Sequence, residues 1–426
     1  MNKPFQWDDY SDQPAQLKDR AFKKKMRKKQ LLSLLFTYLS GMLFLPLTLF
    51  ALPFVKRKEI DSKDFFCIGV DFERETQETL TLIDELNTSR VLVRLKLWEM
   101  EKLEQLSSFL EKIPHKKITL KILQDRENIE DATLLHTNLE QIFSTLQNRV
   151  DIFEIGSTIN RAKWGFFSVG EYLHFYKVAY DLQQTQFQNI TLIGSGVIDF
   201  EYHYTFHTLF NRAKIHYNGV SALLYVDRRG APENTQLGFT LSDKIAWLST
   251  LTWLSPKTEH KLHITETNWP ITATAPYAPT SETECVDEES YANFMLRYHF
   301  LAFASQQVDT LSWHQLIAPG YGLIDNRDRI KKRTAFESYK FMVATLSSAQ
   351  FLRLDIKRGY YILQCWVDEQ LLQIHWSLSD TTLKNEEFFK VFDKNGNKLT
   401  SETLTISAAP TYIYITKAVG EKINCI

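Results

Sequence analysis

The chain has 426 residues, with 50 lysines and arginines against 51 aspartates and glutamates, and 44% of its residues are apolar. Such a length is too great for one small domain and suits one large domain with a smaller appendage. The balanced charge gives no general case for a nucleic-acid partner. The four cysteines lack metal-binding spacing and are predicted to be free or buried thiols; they are Cys67, Cys285, Cys365 and Cys425.

The N-terminus combines a basic tail, residues 1–29, with an uncharged apolar run, residues 30–55. The first 22 residues are polar and are predicted to be disordered. The apolar run is long enough to cross a bilayer, which takes about 20 helical residues. Because the heavier basic charge precedes it, the sequence predicts a single-pass anchor in the inner (plasma) membrane, with the tail in the cytoplasm and the large domain on the non-cytoplasmic side.

Three alternatives to this anchor compete, and one of them, a buried core helix, is disfavoured by the dense basic cluster beside the apolar run. The apolar run is also compatible with a cleaved signal peptide, although its cleavage-site pattern is poor. Pro46 and Pro53 would allow it to bend into a hairpin that enters only one leaflet.

Residues 56–348 alternate between short apolar runs and longer stretches of helical periodicity. The runs resemble strands that are covered on both faces, and they lie at 65–70, 90–95, 118–123, 151–156, 190–198, 220–226, 262–266 and 310–317. Eight such units predict an α/β fold, a closed (β/α)8 barrel. An open doubly wound sheet is the alternative, but no glycine-rich phosphate turn follows the first run, and no cofactor is predicted.

Residues 349–426 change to short alternating strands with Asn395-Gly396 as a hairpin turn. They are predicted to form a small antiparallel β-sandwich packed against the barrel.

The functional face of a parallel barrel is formed by the C-terminal ends of its strands. Polar or aromatic residues end six of the predicted strands, which predicts that they converge on one site. They are Arg94, Ser157, Thr158, Asn160, Asp199, Glu201, Tyr225, Asp227, Glu266, Trp313, His314 and Gln315.

The segment ITETNWP at 264–270 resembles the nucleophile strand of the retaining glycoside hydrolases of the (β/α)8-barrel clan. Residues 64–420 are most similar to the β-xylosidase and α-L-iduronidase family, which also carries a small β-domain after the barrel. The resemblance implies that Glu266 is the nucleophile, that Arg94 orients it and that Trp313 forms the floor of the sugar subsite. Sugar contacts are also expected from four further residues, namely Thr158, Asn160, Tyr225 and Trp269.

The fourth strand departs from that family, which ends it with Gly-Asn-Glu-Pro-Asn and uses the glutamate as general acid/base. Here residues 156–160 read GSTIN, so Thr158 stands in place of the acid. A threonine hydroxyl cannot protonate a leaving alkoxide, and loss of a general acid costs about 10²–10⁴-fold in rate.

Other carboxyls are candidates for this missing role. Glu154 shares the strand face of Thr158 but is predicted to lie about 13 Å deeper, whereas a retaining pair stands about 5–5.5 Å apart. Four loop acids remain as replacements: Asp199, Glu201, Asp227 and Glu233. His203 and His207 have metal-ligand spacing, but no third ligand is evident, so no metal is predicted.

Two functions stay open at this point. The first is a membrane-anchored glycoside hydrolase-like protein that acts on a cell-envelope or exported polysaccharide, with an atypical or missing general acid. The alternative is a catalytically inactive protein of the same fold that binds glycan as a scaffold in polysaccharide assembly or export. Both predict carbohydrate as a partner and a lipid bilayer in contact with residues 30–55.

Overall fold

A computed structural model describes residues 6–55, 58–227, 230–386 and 389–415. Its centre is a closed barrel of eight parallel strands, in the order β8-β1-β2-β3-β4-β5-β6-β7. The barrel strands are β1 (Phe66–Val70), β2 (Arg90–Lys96), β3 (Lys117–Leu123), β4 (Ile152–Ile155), β5 (Leu192–Ile198), β6 (Gly219–Leu223), β7 (Leu262–Thr267) and β8 (Thr310–Trp313). The closed ring confirms the predicted (β/α)8 barrel and excludes the open sheet.

Helices cover the outside of this ring. They are α3 (Thr76–Leu86), α4 (Leu103–Glu111), α5 (Ala132–Leu146), α6 (Val169–Thr185), α7 (Tyr202–Leu209), α8 (Leu241–Leu254), α9 (Glu288–Ser305) and α10 (Thr334–Leu346). Shorter helical segments are Leu52–Phe54, Ser62–Phe65, Met100–Lys102, Arg126–Glu130, Ala162–Trp164 and Glu282–Glu284.

Helix α5 illustrates why these segments become helices. Asp131 caps its N-terminus by accepting hydrogen bonds from the first-turn backbone, and the apolar residues Leu135, Leu139, Ile142 and Leu146 recur at helical spacing. All four leucine and isoleucine side chains are buried against the barrel. The local capping and the long-range burial of these side chains therefore both favour a helix at this position.

The N-terminal segment packs on the barrel instead of forming the disordered tail that the sequence predicts. Within the described part, a short hairpin pairs Trp7–Asp8 with Gln13–Pro14. It is followed by α1 (Arg20–Lys29) and α2 (Leu31–Ala51), and α2 lies along α7. The segment Leu31–Phe54 is long and apolar enough to cross a membrane, judged by its length and composition.

The C-terminal region is antiparallel, as predicted. A small hairpin of β9 (Ile324–Asp325) and β10 (Lys331–Lys332) precedes α10. The six-stranded sheet has the order β11-β12-β13-β18-β15-β16, and β14 pairs with β17 in a second, two-stranded sheet. Their bounds are β11 (Gln350–Lys357), β12 (Tyr360–Val367), β13 (Gln370–Ser377), β14 (Thr381–Lys384), β15 (Phe389–Phe392), β16 (Lys398–Leu399), β17 (Thr403–Ile406) and β18 (Thr411–Ile415).

A buried ion pair of the barrel also contacts this sheet through Trp376. Arg297 on α9 lies 3.2 Å from Glu233, and both side chains are 2% exposed. The indole of Trp376 on β13 donates a 2.9 Å hydrogen bond to the same carboxylate. Cys67 and Cys365 are buried thiols, as predicted, and Cys425 lies outside the described residues.

Candidate active site

The C-terminal ends of the barrel strands surround a cavity of about 500 Å³, a volume typical of small-molecule sites. The barrel contributes one part of its wall and the N-terminal segment contributes another. From the barrel come Arg94, Thr158, Asn160, Arg161, Trp164, Glu201, Tyr225, Glu266, Asn268, His314 and Tyr321. From the N-terminal segment come Ser11, Asp12, Gln13, Gln16, Leu17, Lys23, Arg27 and Tyr38.

Glu266 stands at the mouth end of β7, as the sequence predicts. The phenol of Tyr225 donates a 2.9 Å hydrogen bond to its Oε1, and the ammonium of Lys121 lies 3.5 Å from its Oε2. Burial alone raises the pKa of Glu266, but the charges of Lys121 and Arg94 and the hydrogen bond from Tyr225 outweigh burial and leave the pKa below its usual value. The carboxylate is therefore ionised at neutral pH, as a nucleophile must be.

Lys121 lies between two carboxylates inside the barrel. Its ammonium is 3.4 Å from Glu154 and 3.5 Å from Glu266, and the side chains of Lys121 and Glu154 are 1% and 0% exposed. The hydroxyl of Thr265 donates to Glu154, and burial raises the pKa of this carboxyl. Glu154 is thus sealed beneath the mouth, in agreement with the expectation that it cannot reach a glycosidic oxygen.

Arg94 does not hold Glu266 as the resemblance implies. Its guanidinium forms an ion pair with Asp12 of the N-terminal hairpin, and the two side chains are only 11% and 13% exposed. Burial raises the pKa of Asp12, but the charge of Arg94 and its hydrogen bond lower it further than burial raises it. The hairpin therefore places a carboxylate of the chain itself inside the mouth, and Lys121 and Tyr225 hold Glu266 instead of Arg94.

The loop after β4 contains Thr158 and Asn160, and both line the cavity. Thr158 is buried, has a left-handed backbone with φ of 53°, and its hydroxyl lies 3.3 Å from that of Ser157. Asn160 exchanges hydrogen bonds with the backbone of Ile198 and donates to Glu201. Asn160 therefore joins this loop to the end of β5, which leaves its amide largely engaged by the protein.

Three of the four loop acids that are candidates for a general acid are paired with an arginine. Asp199 and Glu201 each lie 2.6 Å from the guanidinium of Arg161. Glu233 is buried in the ion pair with Arg297, and Asp227 is not among the described residues that line the cavity. Of these four acids, Glu201 is the one that lines the cavity, where Arg161 and Asn160 bind its carboxylate.

His314 lines the cavity beside Glu266 and stacks on Tyr321, with ring centroids 5.4 Å apart. Burial lowers the pKa of His314 to about 4. The imidazole is therefore neutral at pH 7 and is not a general acid there.

The two tryptophans expected to contact sugar are core residues, which corrects that prediction. Trp313 is 0% exposed and donates its indole hydrogen to Tyr291, and Trp269 donates to the carbonyl of Gly230. The two rings stack with centroids 5.8 Å apart, beneath the mouth. Neither ring is among the described residues that line the cavity.

An aromatic cluster that sequence reasoning missed lies beside the mouth. Trp7 of the hairpin packs against Trp98 and Trp164, with ring centroids 5.4 and 5.9 Å apart, and the ammonium of Lys96 lies 5.0 Å from the Trp7 ring. Trp98 follows β2 by two residues, which is a strand-end signal that was available. Trp7 has no such signal in the sequence, because it lies in a segment that is predicted to be a disordered tail.

His203 and His207 contact α2 and do not form a metal site. Nδ1 of His207 lies 2.7 Å from the hydroxyl of Thr37, and the ring of His203 packs 4.8 Å from that of Tyr38. Among the described residues no group of three or more histidine, cysteine or carboxylate side chains is arranged to hold a metal ion. Their i, i+4 spacing is explained by a helix face that receives α2.

No protein-family model and no curated protein matches this sequence. Solved structures match most of its length. A family 39 glycoside hydrolase from the gut symbiont Bacteroides cellulosilyticus WH2 superposes with a TM-score of 0.62 at 14% identity, covering 84% of this chain and 82% of that chain. A family 39 β-xylosidase from Caulobacter crescentus gives 0.55 at 11%, covering 85% and 98%, and a family 30 endoxylanase from Clostridium papyrosolvens C71 gives 0.57 at 9%, covering 85% and 97%. This chain therefore has the fold of the (β/α)8-barrel glycoside hydrolases, which is the fold that its sequence resemblance implies.

Proposed function

We propose that this protein is a membrane-associated glycoside hydrolase-like protein that takes a saccharide into the barrel mouth, with Glu266 as the nucleophile. The observation that carries the proposal is the environment of Glu266. The carboxylate faces a cavity of about 500 Å³, accepts a hydrogen bond from Tyr225 and is kept ionised by nearby cations. A cell-envelope or exported polysaccharide is the proposed substrate class.

The nucleophilic half of a retaining mechanism is available to these residues. An ionised Glu266 would attack the anomeric carbon and form a glycosyl ester while the bond to the leaving oxygen breaks. Tyr225 would hold the attacking carboxylate in place. The electron pair of the broken bond stays on the leaving oxygen, so a poor leaving group needs a proton, and Thr158 has none to give at neutral pH.

Cleavage of a polysaccharide, whose leaving group is a sugar alkoxide, is therefore expected to be slower by about 10²–10⁴-fold than with a general acid, and glycosides with good leaving groups are the sensitive test. The dinitrophenolate of a 2,4-dinitrophenyl glycoside leaves without protonation, whereas the alkoxide of an alkyl glycoside does not. We expect slow release of dinitrophenolate by the full-length protein, and loss of this release in Glu266→Gln, which keeps the shape but removes the charge.

Substitution of Thr158 provides the sharper half of the test. Thr158→Glu restores a carboxyl where the related family has its acid, and it also removes a β-branched residue from a left-handed backbone. We expect hydrolysis of unactivated glycosides to rise by about 10²-fold or more, whereas the matched control Thr158→Val gains nothing. Absence of turnover with every activated glycoside, in both the wild type and Thr158→Glu, would refute the hydrolase proposal.

A second candidate function is glycan binding without cleavage, as a scaffold in polysaccharide assembly or export. The specific observation in its favour is that the other carboxylates of the mouth, Asp12 and Glu201, are each held by an arginine. Glycan binding that survives Glu266→Gln, with no product formed, would support this second function.

A further inference from the structure

The outer face of α2 is a continuous apolar surface on the outside of the barrel. Bulky side chains point away from the protein along its whole length, and Leu32 and Leu43 are 83% and 74% exposed. Exposed leucine, methionine and phenylalanine side chains on this face also include Leu39, Met42, Leu47 and Phe50. Isolated exposed apolar residues are normal, but a contiguous face of this size marks an interaction surface.

The inner face of α2 is small and polar, and it is docked on the barrel. The residues buried on α2 are Thr37, Ser40, Gly41, Thr48 and Ala51. Small side chains allow close approach, and the position of Gly41 has no room for a Cβ atom because His203 lies against it. The docked face explains why a helix with so many leucines still contains these small residues.

Contacts with the barrel run along most of α2. Near its start, the hydroxyl of Ser33 accepts a 3.0 Å hydrogen bond from the backbone of Gly170. Thr37 meets His207 at 2.7 Å, and farther along Phe44 stacks on Phe206 with ring centroids 5.3 Å apart. A helix of 21 residues is about 32 Å long, which matches a hydrocarbon core of about 30 Å. If α2 crossed a bilayer, nearly its full length would lie in the hydrocarbon core, and the contacts with the barrel would be lost.

The segments on both sides of α2 also remain with the barrel. Before it, Asp12 forms an ion pair with Arg94 in the mouth. After it, Lys58 lies 2.6 Å from Asp309 at the start of β8. A single crossing would place these two attachments on opposite sides of the membrane.

The positive charge of α1 indicates which partner binds the apolar face of α2. Within ten residues it has no acid, and its cations are Arg20, Lys23, Lys24, Lys25, Arg27, Lys28 and Lys29. Clusters of four to eight such cations beside a membrane-embedded segment are attracted to anionic headgroups. An apolar face next to a cationic helix matches the interior and the surface of an anionic bilayer.

We infer that α1 and α2 form a one-sided attachment surface for an anionic membrane, in which α2 lies in the plane of one leaflet while the hairpin, α1 and the barrel stay on the same side. The inference deepens the membrane association proposed above, and it replaces the single-pass crossing that the sequence suggests. Because Lys23, Arg27 and Tyr38 also line the mouth, the saccharide site opens at the level of the headgroups.

The first test is binding of the full-length protein to vesicles of phosphatidylcholine alone or with one quarter phosphatidylglycerol. We expect flotation with the anionic vesicles and a large loss on Leu32→Glu/Leu39→Glu/Leu43→Glu, on the order of a hundredfold in the partition coefficient. Leu237→Glu is the matched control, because Leu237 is 95% exposed elsewhere on the barrel. Failure to float with either vesicle would refute membrane association itself.

The second test separates in-plane attachment from a crossing. A Cβ atom at position 170 would lie 3.5 Å from the Cβ of Ser33, which is suitable for a disulfide. We expect Ser33→Cys/Gly170→Cys to crosslink in vesicle-bound protein, whereas Leu32→Cys/Gly170→Cys does not, because Leu32 faces outward. Protease added outside the vesicles should remove N-terminal and C-terminal tags together. Binding with no crosslink and one protected tag would overturn the in-plane inference and leave membrane association standing.

Discussion

Asp12 and Arg94 form an ion pair across 82 positions of sequence, and it closes part of the barrel mouth with the N-terminal hairpin. The same guanidinium would otherwise face the cavity that contains Glu266. Docking of the hairpin and access to the mouth are therefore linked through Arg94.

Asp12→Asn should release the hairpin. The change keeps the size of the side chain but removes the charge that Arg94 binds, and a hydrogen bond between charged groups is worth about 1.5–3 kcal/mol. We expect trypsin to cleave faster after Lys18 and Arg20. Asp9→Asn is the control, because the side chain of Asp9 is exposed in the same hairpin; equal cleavage rates for the two variants would contradict the linkage.

Lys121→Met should destabilise the barrel strongly. It would leave Glu154 and Glu266 without the ammonium that lies between them, and removing one partner of a buried ionic group typically costs about 3–5 kcal/mol. The pKa of Glu266 should rise at the same time, since Lys121 is the largest of the influences that lower it. Urea unfolding measures the first effect, and the pH profile of aryl glycoside cleavage measures the second.

Glu154→Gln is the matched control for this variant. It keeps Lys121 paired with Glu266 and removes a carboxyl whose pKa burial already raises, so a smaller loss is expected. A Lys121→Met protein within about 1 kcal/mol of the wild type would show that the three groups are not coupled as their distances imply.

Docking of α2 should weaken in mild acid. Burial lowers the pKa of His207 to about 4, whereas an unburied histidine titrates near 6.5. Protonation therefore favours the undocked helix: docking is at full strength above about pH 6.5 and is lost progressively as the pH falls toward 4. Spin labels at Leu43→Cys and Glu259→Cys should report a longer and broader distance distribution at pH 4.5 than at pH 7.5.

His207→Gln should remove most of this pH response, because glutamine does not titrate. His203 contacts the same helix, and burial lowers its pKa as well, so a small residual response is expected. A full response in the His207→Gln protein would assign the effect to a different group.

The barrel was predictable because each strand carries its own signal. Strand β3, for example, is a compact β-branched run whose residues are almost all buried, and a strand end is also where Glu266 and Tyr225 were expected to meet. The irregularity within that strand is Lys121, a buried cation among the otherwise apolar or small residues 118–123. That irregularity was visible in the sequence, but its two carboxylate partners depend on how the ring closes.

The roles of Trp313, Trp269 and Asp12 were not predictable for a different reason. A tryptophan at a strand end has the same pattern whether its ring forms a sugar platform or packs in the core, and only the packing around Tyr291 and the neighbouring ring decides it. Asp12 lies in a polar segment without periodicity, and its one strong contact is distant in sequence. Local patterns predict elements well and predict contacts between remote segments poorly.

Asp12 is joined to the docked helices by a short segment of chain, so its carboxylate always competes with a ligand for Arg94 in the mouth. A group held by a short flexible linker has an effective concentration on the order of millimolar. A free saccharide that binds Arg94 must therefore displace Asp12. A ligand that would bind the barrel weakly without the hairpin is expected not to bind the intact chain. Displacement of the hairpin from Arg94 therefore determines how readily a saccharide enters the mouth.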